Sequence, residues 1–334
     1  VPVALALVLS LATLAGCGDS PETAGQAAIR NADHPQGRIL TANQGANSVT
    51  LIDVATNTTI GTVLTGEQPH HVGATLDGKE FWVTLFKENR LQVFDSQTLK
   101  EIASIDVGAS NDDIAFDPSG KRVFASLGAA NAVAEVDAAQ KKMTRRIEVG
   151  RTPHGMRVTP DGKTLLVTNT ADNTVSVVDL ASDPPKSSTV KTGADPFELV
   201  VSADGSTAYV SNFLGNSITV IDLKQLKAVN PPIQTGRQPA MLALIGATGQ
   251  QLAVANTASS EVWILDPTTR RPVNRIRVGQ GAHGVVEAPN GRLYVTNAAD
   301  NTVSVVDPAQ STALATIAVA NNPNGLVYLA NAAP

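Results

Sequence analysis

The feature that most constrains this chain is that it repeats itself. LYVTNAADNTVSVVDP, from Leu293 to Pro308, is nearly the same text as LLVTNTADNTVSVVDL, from Leu165 to Leu180. Weaker copies start at Ile39, Phe81, Val123, Ala208 and Leu252. Each copy closes on an aspartate: Asp53, Asp95, Asp137, Asp179, Asp222, Asp266 and Asp307, spaced 42, 42, 42, 43, 44 and 41 residues apart. A unit of this size cannot bury an apolar face alone, so copies must stack on one another in an array.

The unit from Arg151 to Gly193 shows what is stacked. Gly155 to Thr159 reads as a short strand, and Pro160-Asp161-Gly162 as a tight turn. Thr164 to Thr168 is a second strand. Asn169 to Asn173 are turn residues that bond their own backbone. Thr174 to Val178 is a third strand, Asp179 opens the next turn, and a weaker fourth strand ends near Gly193. Aromatic residues make up only 4% of the chain, while Val, Thr, Asn and Gly are frequent, as short strands and tight turns require. Four antiparallel strands per unit, seven times over, predict an all-β, seven-bladed β-propeller.

Counting strands predicts how the ring closes. The first copy, Arg38 to Gly66, supplies strands two to four and lacks a first. The tail, Asn321 to Leu329, is a first strand with no followers. The C-terminal strand is therefore expected to complete the N-terminal blade, leaving no unpaired edge at the seam. The phrases YVTN-x-x-x-NTVSV-x-D and P-x-G-x-x-x-x-PDG resemble those of the YVTN-repeat seven-bladed propeller family of bacterial and archaeal secreted and surface proteins. The resemblance runs from about Gly37 to the end. It implies the fold, and a relation in shape to propellers with quinone or haem d1 sites and to lactonases, but no site transfers with the fold alone.

The N-terminal text differs in kind. Val1 to Ala15 is an uncharged apolar run, short for a membrane span and similar to the apolar region of a secretory signal. It ends in Leu14-Ala15-Gly16-Cys17, which resembles a bacterial lipobox. The resemblance implies a signal over residues 1–16, lipidation of Cys17, and a protein anchored by lipid to a bacterial membrane, in the periplasm or on the cell surface. Cys17 is the single cysteine, so no intrachain disulfide forms. Residues 17–37 read as a flexible tether of about 25 Å, leaving 38–334 for the propeller. Net charge is −5 and aromatics are few, which argues against a nucleic-acid partner. The basic clusters Lys141 to Arg146 and Arg270 to Arg277 fall on outer strands, where charge discourages edge pairing.

The residues that open each first strand should ring one mouth of the channel: Asn324, His70, Asp112, His154, Phe197, Ala240 and His283, flanked by His71, Asp113 and Glu198. Four of the five histidines belong to this set. One reading makes it a ligand site, with His70, Asp112 and His154 from adjacent blades suited to a divalent metal. The other makes the histidines strand-opening residues bonded to the neighbouring blade. His283 and Glu287, four apart on one strand, are either a catalytic pair or a histidine with a solvated rim residue. Phe86, Lys87, Phe213 and Leu214, on loops of the same face, form a candidate partner patch. There is no haem-attachment motif, nucleophile elbow or phosphate-cradling glycine loop. The aspartate series and Asn169, Asn212, Asn256 and Asn297 recur once per unit, as structural residues do. Two functions stay open. One is a monomeric, non-catalytic, membrane-tethered binding propeller that presents this face to a protein or small-molecule ligand. The other is a lactonase-like hydrolase or metal-dependent lyase using the histidine ring.

Overall fold

The computed structural model describes residues 34–331. The expected signal, Cys17 and the tether up to residue 33 lie outside the described residues. Seven antiparallel sheets of four strands follow one another around a ring. Blade 4 is made of Pro153–Val158, Thr164–Asn169, Thr174–Asp179 and Lys186–Lys191, in that spatial order.

Burial explains the text of each strand. The second and third strands are covered on both sides, because each blade packs face to face with its neighbours. One apolar cluster joins Leu40, Leu51 and Val63 of blade 1 to Phe81, Val83 and Phe94 of blade 2. Another joins Phe124 and Val133 of blade 3 to Leu165 and Val178 of blade 4. Sheets buried on two faces want continuous apolar runs, whereas a half-exposed strand alternates. The outermost strand Lys142–Glu148 does alternate, and it carries the first basic cluster, with Arg145 Nε 2.7 Å from Glu135 Oε2. The second lies along the outermost strand Arg271–Arg277, where Arg275 covers the Trp263 ring at 4.0 Å.

The recurring polar residues hold turns and loops. Each closing aspartate accepts backbone N–H groups of its own turn, such as those of Gln97 and Thr98 on Asp95, or Thr268 and Thr269 on Asp266. Asn169, Asn212 and Asn297 are fully buried, and each donates to two hydroxyls of the following strand. Asn256 faces no hydroxyls there and donates to the carbonyls of Val254 and Glu261.

Closure is as the strand count requires. Pro323–Leu329 lies in the sheet of blade 1 and pairs antiparallel with Arg38–Asn43, with Arg38 opposite Leu329 and Leu40 opposite Val327. The seam corrects one boundary. His34 to Gly37 are fastened to blade 1 and do not belong to a tether. His34 Nδ1 lies 2.5 Å from Asp53 Oδ2, Asn331 donates to the His34 carbonyl, and the Tyr328 hydroxyl donates to that of Gln36. Composition marks this Pro- and Gly-containing segment as linker, but its partners come from the other end of the chain.

A second device ties blade to blade. The Thr168 hydroxyl accepts the Gly155 N–H at 2.8 Å and donates to the Phe197 carbonyl of the next blade at 2.9 Å. Thr84, Ser211 and Thr296 make the same double contact, reaching the carbonyls of Asp112, Ala240 and Asn324. Thr168→Val keeps the shape and removes both bonds in a fully buried place. It is expected to lower the free energy of unfolding in urea by about 1–3 kcal/mol. A change below about 0.5 kcal/mol would show that the hydroxyl is not a tie.

Candidate functional site at the channel mouth

Every first strand except the short one of blade 3 opens on a bulge. In blade 2, Pro69 pairs with Leu85 but Val72 pairs with Val83, so His70 and His71 together stand opposite Thr84. The same shift occurs in blades 1, 4, 5, 6 and 7. An ordinary strand would send two successive side chains to opposite faces, and a bulge re-aims them. Here both residues of the pair reach the residues that lead into the first strand of blade 3, Ile114–Phe116. His70 Nδ1 is 3.1 Å from the Asp112 carbonyl, while His71 Nδ1 is 2.6 Å from Asp113 Oδ1. Two tiers of polar residues result, one above the other.

The upper tier contains His70, Asp112 and His154. One ligand atom from each lies within 4.8 Å of the other two. His154 Nδ1 is 3.1 Å from the Phe197 carbonyl, repeating the contact made by His70. A carbonyl only accepts, so Nδ1 of both rings carries the proton and Nε2 keeps its lone pair. Burial, and then neighbouring histidines, push His70 down to about 4 and His154 down to about 3, so both are neutral near pH 7. Burial, and then the Asp113 carboxylate, push Asp112 up to about 7 against the hydrogen bond from Gly128 N–H. A methyl group on Gly128 would stand 2.7 Å from Asp112 Oδ2, so the backbone approaches this carboxyl as closely as only glycine allows. Asp112 forms no ion pair among the described residues.

The lower tier contains His71, Asp113 and Glu198, again with ligand atoms within 4.8 Å of one another. This tier has its own cation. Arg157 Nη1 lies 3.3 Å from Asp113 Oδ2 and 3.5 Å from Glu198 Oε1. Asp113 also accepts the Met156 N–H at 2.8 Å. Against burial, His71 and Arg157 hold Asp113 well below the usual carboxylate range. Burial, and then Asp113, push Glu198 up to about 7. Gly155 and Gly325 leave the space, since a methyl group on either would collide with Glu198 or with the His71 ring.

Phe197 lies between His154 and His283, with ring centroids 3.9 and 5.5 Å away. His283, which burial and then His70 push down to about 3, keeps a buried Nδ1 without a hydrogen-bond partner among the described residues. Asn324 is 8% exposed, and its Oδ1 also lacks one. Its Nδ2 reaches Gln44 Oε1 at 3.3 Å. His283 and Glu287 do not form a pair. Glu287 sits at the opposite end of its strand, about 13 Å along the backbone, and accepts the Gly246 N–H at 2.9 Å. Phe86 and Phe213 turn toward the ring, 6.0 Å from His70 and 5.3 Å from Phe197. Lys87 lies 5.7 Å over Phe86, and Leu214 stays exposed. The four bracket the mouth from two separate blades. Arg157 is the residue that sequence reasoning missed. Its signal was a charge at a strand position where the other blades carry Gly73, Ala115, Val200, Ala243, Val286 and Val327.

Comparison with known proteins adds the fold's relatives. The profile of the YNCE-like beta-propeller family matches residues 116–292. Among curated proteins none matches the chain in sequence. A protein of unknown function from Desulfotomaculum acetoxidans superposes with a TM-score of 0.78 at 16% identity, covering 88% of this chain and 99% of that one. The periplasmic gluconolactonase PpgL of Pseudomonas aeruginosa gives 0.73 at 19% identity, covering 88% and 99%. Hydrazine synthase of Kuenenia stuttgartiensis gives 0.69 at 18%, covering 77% and 88%. At these identities the likeness is one of fold.

Proposed function

Because the chain belongs to the YNCE-like β-propeller family, whose fold leaves function to the site, we propose that it is a binding propeller that captures a divalent transition-metal ion. His70, His154 and Asp112 hold the ion at the channel mouth, and its open positions face a small ligand. The observation that carries this reading is the contrast between the tiers. The lower carboxylates have Arg157, whereas Asp112 stands beside two neutral imidazoles with no cation of its own among the described residues. Two imidazole nitrogens and a carboxylate oxygen suit Zn²⁺ or a similar ion, and three protein ligands leave a fourth position for another molecule. Backbone carbonyls on both Nδ1–H groups are the outer partners that orient metal-binding histidines. In this proposal the lipid anchor at Cys17 holds the monomer at a bacterial membrane, in the periplasm or on the cell surface.

A second reading, a lactonase-like hydrolase, is favoured by His283, a neutral imidazole with an unpartnered Nδ1 at the same mouth. The Pseudomonas neighbour supplies gluconolactone as a substrate to try.

The test is metal content after loading with Zn²⁺ and exhaustive dialysis. About one ion per chain is expected for the native protein, and less than about a tenth for a His70→Ala, His154→Ala double variant that keeps its circular dichroism. Equal content in both would overturn the binding reading. Gluconolactone hydrolysis by the loaded protein above the spontaneous rate, lost in His283→Ala, would establish the second.

A further inference from the structure

Below the tiers the axis opens into a cavity of about 370 Å³, lined by the first strands of all seven blades. Its size is in the range of small-molecule sites. Only two lining residues are polar, His71 and Arg157. The walls are apolar, with Phe116, Val200, Leu242, Leu244 and Val327 among them, and small residues at Gly73, Ala115 and Ala243 give the cavity its width. Above it lie the polar residues of the mouth, of which His70, Asp112 and Asn324 are each less than a tenth exposed.

Arg157 is held through one nitrogen. Nη1 makes both carboxylate contacts and donates to the Met156 carbonyl. Nε and Nη2 have no hydrogen-bond partner among the described residues. That edge of a guanidinium is the fork that takes two oxygens of one carboxylate. Asp113 does not compete for it, being covered by His71, Nη1 and the Met156 N–H. A cation with a free planar fork, at the head of an apolar channel, is complementary to a single anionic group on a hydrocarbon chain.

We propose that the central channel binds an unbranched aliphatic monocarboxylate, with its carboxylate on the Nε–Nη2 edge of Arg157 and its chain along the apolar wall below. This site is separate from the metal at the mouth and stands without it.

Calorimetric titration of the full chain, treated with chelator, tests it with decanoate and decylamine as probes. Decanoate is expected to bind saturably and decylamine not to bind. Arg157→Met should weaken decanoate at least about tenfold, the loss of a charge-assisted bidentate contact. Ala243→Phe, which fills the channel and leaves every charge in place, should weaken it as much while leaving zinc content at the mouth unchanged. Should Arg157→Met fail to fold, Ala243→Phe decides the matter. Decanoate binding equally to both folded variants, no saturable binding by the native protein, or decylamine binding as tightly would each overturn the proposal.

Discussion

A chain ending at residue 320 is expected to lose its cooperative thermal transition. The missing strand is the innermost one of blade 1. Without it Arg38, Ile39, Leu40 and Thr41, all fully buried, lose the partners they face in Pro323–Leu329. Leu326 and Leu329 are buried, and Val327 and Tyr328 pack on the two clusters that join blade 1 to its neighbours. Burying Leu326 and Leu329 is worth about 1.5–3 kcal/mol each, and the half-buried Val327 and Tyr328 add less. Together they are a large part of the stability of an ordinary domain, about 5–15 kcal/mol. The loss is not confined to one blade, because each sheet is covered on both faces by others and a ring with one weak blade has two uncovered neighbours. Calorimetry of the truncated chain should show a broad, weak transition or none. A peptide of residues 321–334 added at excess should restore part of it. An unchanged melting temperature would mean that the ring is not held shut at this seam.

How much of this was legible in the sequence depends on what each feature needs. The period, the strand order and the closing strand depend on local text and counting, and the structure keeps them. The aspartate and asparagine series were legible as structural because a residue needed at one kind of turn recurs with the turn. The double tier was not legible. It depends on a register shift between Pro69 and Val72 and its equivalents, and strand alternation predicts that His70 and His71 part company. Arg157 was hidden for a related reason. Its Cα lies among alanines and valines, and only its length carries the guanidinium to Asp113 and Glu198. Of the two readings of His283 and Glu287, the pair is the one the geometry does not form, because residues four apart share a face of a strand but not a place on it. The attachment of His34 to Asp53 was out of reach, since nothing local to either residue marks the other.

The same geometry predicts that Asp112→Asn makes the metal-free protein more stable and the metal-loaded protein less so. Burial, and then Asp113, push the Asp112 carboxyl up to about 7, against about 3.9 in an unfolded chain. Between those values the folded protein holds a proton that the unfolded chain has lost, so stability falls as pH rises through this window. Above it the full cost, on the order of 2–4 kcal/mol, is present. Asparagine has nearly the same shape and no charge to bury. At pH 8 with chelator, the variant should therefore melt roughly 4–8 °C above the native protein. Near pH 4 the two should coincide, because the native carboxyl is then protonated in the folded state. Zinc reverses the order. Binding only to the folded state raises native stability by about 4 kcal/mol at a thousandfold excess over Kd, and a variant without the carboxylate oxygen gains little of this. If Asp112→Asn instead melted lower at pH 8 without metal, the carboxylate would be a structural group satisfied by the Gly128 N–H. A buried acid whose removal strengthens the bare protein has to be there for something it meets from outside.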